Sequence, residues 1–141
     1  MAEQGTLKTL RTSAALPASG AFDTSPTSVT VRPLTRAATI YGTFTRGSGT
    51  SAFALRVEES QDGTTWYRQT AADGTTTTSA PYLRAPFHAL EYRSPVPASN
   101  DPLRLAIPIA LGGAKYVRVS FAEYGDTANP GTLAASLVEG E

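Results

Sequence analysis

The stretch "VEESQDGTTWYR", residues 57–68, gathers the residues best suited to chemistry. Glu58, Glu59 and Asp62 stand beside Trp66, the one tryptophan of the chain. Two carboxylates next to an aromatic ring are the parts of a glycoside hydrolase, in which paired acids flank a sugar bond. Clustered acidic side chains are also the parts of a calcium loop. Both readings depend on which way the side chains point. Glu58 and Glu59 are neighbours in a stretch that alternates as a strand does, so they fall on opposite faces, and carboxylates on opposite faces cannot flank one bond. A calcium loop needs oxygen ligands at alternating positions over a longer stretch, and Thr64 and Thr65 follow the glycine instead. The string also resembles the Ser-x-Asp-x-Gly-x-Thr-Trp hairpin of sialidase-like propellers. It departs from that pattern because Asp62 and Gly63 are adjacent, and the chain lacks the repeats that a propeller requires. What remains is a turn. Asp-Gly is a strong hairpin signal because Gly takes positive φ freely and Asp tolerates it. Asp62 and Gly63 are expected to turn the chain, with Ser60 bonding local backbone and Trp66 packing against the preceding strand.

Other chemical groupings are sparse. His88, in "APFHALEY", has no second histidine and no cysteine with which to hold a metal. Ser and Asp are plentiful, but no G-x-S-x-G elbow marks a nucleophile. "RGSGTS" lacks the lysine of a phosphate-binding loop, and "LGGAK" reads as a plain loop. No catalytic residue, metal ligand or cofactor site is assigned. Tyr41, Tyr67, Tyr82, Tyr92, Tyr116 and Tyr124 are candidates for an interface or a sugar platform, since tyrosine is enriched at such surfaces.

The elements that position these residues follow a period of two. In "AFALRVE", Phe53, Leu55 and Val57 alternate with Ala54, Arg56 and Glu58. The same alternation runs through "ATIYGTFT" from residue 38, "PLRLAIPIAL" from 102, "YVRVSF" from 116 and "TLAASLVE" from 132. Pro108 lies inside one of these runs and removes a ladder donor, which predicts an edge or interrupted strand. Turn-rich breaks at 46–51, 72–81, 94–102 and 111–115 separate the runs. Several short strands at this spacing predict an all-β antiparallel β-sandwich, jelly-roll-like, over residues 28–141.

Residues 1–27 are small, polar and proline-broken, which predicts a frayed terminus or an extended N-terminal arm ordered only against a neighbouring subunit, rather than part of the core. "TLKTLR", residues 6–11, can pair as a strand. Leu7, Leu10, Leu16 and Phe22 are the arm's interface candidates, expected to bury against a neighbouring subunit.

A chain of 141 residues is about one domain, long enough for a real core. Charged residues make up 17%, with 12 basic against 12 acidic and no basic cluster, which argues against nucleic acid as a partner. No stretch is apolar for the length of a membrane span. There are no cysteines, hence no disulfides or thiolate zinc sites. No apolar run of signal-peptide type opens the chain, so the expected compartment is the one where it is made.

"LRVEESQDGTTWYR", the later "AKYVRVSFAEYGDTANPGTLAASLVEG" and the entry "SGAFDTSPTSVTV" together resemble small structural proteins encoded among the head and tail genes of tailed bacteriophages. The resemblance covers most of the chain, and its motifs are mainly turn and strand chemistry. It implies a virion β-sandwich, and in particular a decoration or cement protein on the capsid exterior, made in the host cytoplasm. Such proteins commonly form trimers, bind the major capsid protein and reach across capsomers with extended arms. No catalytic residues come with the family. Tail, neck or head-fibre components of the virion and a carbohydrate-binding sandwich are the competing readings.

Overall fold

The computed structural model describes residues 7–17, 21–47, 51–69, 83–84, 91–94, 96–97, 99, 101–125 and 130–140. Ten strands occur among them: β1 (Leu7–Ala15), β2 (Ser28–Thr30), β3 (Ala37–Thr45), β4 (Ser51–Ser60), β5 (Tyr67–Gln69), β6 (Leu83–Arg84), β7 (Glu91–Arg93), β8 (Leu103–Ala110), β9 (Tyr116–Gly125) and β10 (Thr132–Glu139). No helix occurs among the described residues. The five alternating runs of the sequence are β3, β4, β8, β9 and β10.

The strands form two sheets. One has the order β1-β10-β3-β8; the other runs β2-β9-β4-β5-β6, with β7 also paired to β4. All pairings are antiparallel except β5 with β6. The pairing is nested along the chain: β1 joins β10, β2 joins β9, β3 joins β8 and β4 joins β7. Pro108 sits on β8, whose only partner among the described residues is β3, so its missing N–H leaves no central ladder bond unmade there.

The inward side chains of the two sheets meet in one core. Ile40, Phe44, Leu133 and Leu137 of the first sheet pack against Phe53, Leu55, Val57, Val117, Val119 and Phe121 of the second. The Phe44 and Phe53 rings lie 5.5 Å apart and join the sheets directly. β4 is buried on both faces apart from Arg56, as suits a strand with β9 on one edge and β5 and β7 on the other.

The N-terminal segment departs from the expected arm. β1 pairs with β10 from Leu7↔Val138 to Ala15↔Thr132, with register shifts on either side of Arg11. Leu10 and Leu16 are buried in the chain's own core. The free edge of β10 supplies the backbone partners, which need no apolar composition to form. The entropy of ordering these residues is therefore offset within the chain. The boundary expected at residue 27 does not separate β1 from the core, and residues 7–16 belong to the four-stranded sheet.

Candidate functional site

The acidic turn is a folding device. Asp62 Oδ1 accepts hydrogen bonds from the N–H groups of Thr64 (2.8 Å) and Thr65 (2.7 Å) and from the Ser60 hydroxyl (3.0 Å). The N–H of Gly63 donates to Ser60 Oγ at 2.9 Å. The backbone bonds from Thr65 and Thr64, followed by the Ser60 hydroxyl, lower the Asp62 pKa to about 2. Asp62 therefore has no proton to deliver near neutral pH. Gly63 holds φ at 78°, in the left-handed region, as the sequence predicts. The turn is wider than a two-residue hairpin, because residues 61–66 separate β4 from β5.

Glu58 and Glu59 do point to opposite faces. Outside the six-stranded sheet, Glu58 pairs with Arg118 of the adjacent β9 at 3.0 Å. Arg118 in turn lies under the half-buried Trp66 ring, 4.3 Å from guanidinium carbon to centroid. Glu59 accepts a 2.6 Å bond from the N–H of Gly112, which fastens the β8–β9 loop. The paired-acid arrangement is therefore not formed. Trp66 lies on the outer face, whereas Tyr67 shares its face with Glu59, so the two do not make one aromatic platform.

The four interface candidates have separate surroundings. Leu10 and Leu16 are core, and Leu7 is 62% exposed. Phe22 lies on the outer face of the six-stranded sheet, with the Arg56 guanidinium 3.6 Å from its ring centroid and the Tyr124 ring edge-on at 6.3 Å. Three of the four are thus engaged with their own chain. Asp23 secures this segment: its N–H donates to the Phe121 carbonyl, and its carboxylate accepts from the Phe121 N–H and the Arg11 guanidinium. His88 and Tyr82 lie outside the described residues.

Two buried carboxylates carry no signal in the sequence. Glu123 sits on the core face of β9, accepting from the Ser51 hydroxyl at 2.8 Å and from the Gly131 N–H at 3.0 Å. Glu139, near the chain's end, accepts from the Arg32 N–H (2.5 Å) and the Thr35 hydroxyl (3.0 Å), and pairs with Lys8 of β1 at 2.7 Å. Burial pushes the Glu139 pKa up, but the bonds from Lys8, Arg32 and Thr35 and the charge of Lys8 outweigh it and hold it at about 2. This clasp ties β1, the β2–β3 loop and β10 together. Among the described residues no cluster of three or more metal-ligating acids or histidines forms.

The outer face of the four-stranded sheet is the remaining feature. Cross-strand rows fix its membership. Leu7, Val138, Thr39 and Pro108 form the first row; Thr9, Ser136, Tyr41 and Ala106 the second. Ala134, Thr43 and Arg104 form a third. Tyr41 is 49% exposed. A shallow groove of about 320 Å³ runs over this face. No family model, curated protein or solved structure matches the chain.

Proposed function

We propose that the chain is a structural virion protein with a jelly-roll fold, a decoration or cement protein. It binds the outside of a tailed-phage head as a trimer and ties subunits of the major capsid protein together. The observation that carries this reading is the nested pairing of β1 with β10, β2 with β9, β3 with β8 and β4 with β7. Divided over the order β1-β10-β3-β8 and the path β2-β9-β4 with β7 also on β4, it supports the reading as a jelly roll, an architecture that builds viral capsid domains as well as lectins. A fold alone does not name a function. The resemblance of residues 55–68 and 114–140 to phage virion proteins supplies the second support. The carboxylates that would suggest an enzyme are engaged in holding turns and loops, which favours a structural role over catalysis.

The test is co-sedimentation of the purified protein with heads from a phage lacking its gene. Saturable binding, with heads that then withstand higher temperature, is the expected result. An absence of binding at micromolar concentration would remove the reading. The lectin reading is weaker, because one face of Trp66 is taken by Arg118 and Tyr67 points away from it.

A further inference from the structure

The two outer sheet faces differ in cover and in charge. On the six-stranded sheet, Phe22 and Trp66 lie over Arg56 and Arg118. On the four-stranded sheet no such cover occurs among the described residues. The cross-strand rows of that face hold a single charged side chain, Arg104, which is exposed and has no ion-pair partner among the described residues. The groove on this face is lined by Leu7, Tyr41 and Arg104 together with the small residues Gly42, Ala134 and Ser136. A large aliphatic side chain, a phenol ring and a guanidinium thus border one concavity, with Leu7 and Tyr41 both about half exposed or more. This is the composition of an interface, in which apolar and aromatic area surrounds an arginine.

The lone charge selects the occupant. A second copy laid face to face would set Arg104 against uncharged side chains or against its own counterpart. An unpaired or like-charged guanidinium at a closed interface is unfavourable. A partner with a carboxylate at that place removes the penalty and accepts a bidentate hydrogen bond. We propose that the outer face of the four-stranded sheet docks a partner protein that presents a carboxylate to Arg104 and an apolar side chain to the groove beside Leu7 and Tyr41. The proposal rests on the reading of the chain as a particle-bound protein and names the face that meets the shell.

Two titrations test it. In the first, amide resonances are followed as N-acetyl-Leu-Glu-amide is added, with N-acetyl-Leu-Gln-amide as the neutral control. Saturable shifts are expected at residues 41–43, 104–106 and 134–136 with the acidic peptide. They should be at least about tenfold weaker with the control and lost in Arg104→Gln. No shifts there, or equal response to both peptides, would overturn the docking surface. In the second titration, Arg104→Glu should bind undecorated heads at least about tenfold more weakly, a loss of ~1.4 kcal/mol, with an unchanged melting temperature. Leu34→Asp, on the exposed β2–β3 loop, should bind as the native protein does. If heads bind Arg104→Glu and the native protein equally, the surface is wrong and the particle reading stands. If heads bind neither, the particle reading falls and the peptide titration alone decides the surface.

Discussion

Replacing Glu139 by Gln tests the clasp that holds β1 in place. In the folded protein the carboxylate is buried and meets the Lys8 ammonium at 2.7 Å, the Arg32 N–H and the Thr35 hydroxyl. These partners hold its pKa at about 2, against an ordinary 4.5. At ~1.4 kcal/mol per pH unit the difference corresponds to about 3 kcal/mol of folding stability. The sign follows from the direction of the shift. Because the folded pKa is depressed, the contribution is complete above about pH 5 and disappears as pH falls through 4.5 toward 2. Glu139→Gln should therefore unfold about 3 kcal/mol more easily at pH 7, and the gap from the native protein should shrink to near zero at pH 2. Guanidinium unfolding followed by tryptophan fluorescence, repeated from pH 7 to pH 2, measures both curves. Other carboxylates titrate in this range, but they are common to both proteins and cancel in the difference. Equal stability at pH 7, or a gap that persists unchanged to pH 2, would refute the role assigned to the clasp.

Gly131→Ala should lower stability by about 1–3 kcal/mol in calorimetry, because its Cβ would fall 2.7 Å from Glu123 Oε2 and from the Thr45 carbonyl; an unchanged melting temperature would contradict the packing there. Trp66→Ala should cost about 1–2 kcal/mol in thermal unfolding, less than the roughly 3–5 kcal/mol expected of Phe121→Ala in the core. Equal losses would mean that Trp66 is core rather than a cover on Arg118. Deleting residues 1–16 should unfold the domain by circular dichroism, since it removes Leu10, Leu16 and the Lys8 arm of the clasp; a folded truncation would restore the idea of a separable arm.

The strands that alternate strictly were legible, because residues such as Phe53, Leu55 and Val57 meet the core at every second position whatever their partners are. Pro108 announced an edge, and Asp62-Gly63 a turn, for equally local reasons. The extent of the N-terminal strand was not legible. Leu10 and Leu16 are too few to mark a core segment, and what orders them is the edge of β10 at the other end of the chain. Glu139 and Lys8 fail to signal for the same reason: each is an unremarkable charged residue until nested pairing brings the termini side by side. The turn at 61–66 is wider than the Asp-Gly pair alone signals, because the added length lies in the bonds that Asp62 accepts from Thr64 and Thr65. The face around Arg104, uncovered among the described residues, requires the register of four strands, which no single strand's alternation carries.

The central claim is that this protein is a component of a virion. Quantitative mass spectrometry of gradient-purified virus particles tests that most directly. The account predicts that the chain is present at a fixed, whole-number ratio to the subunits of the major capsid protein and is accessible to protease added outside intact particles. Its absence from purified particles, while it accumulates free in the lysate, would contradict the account.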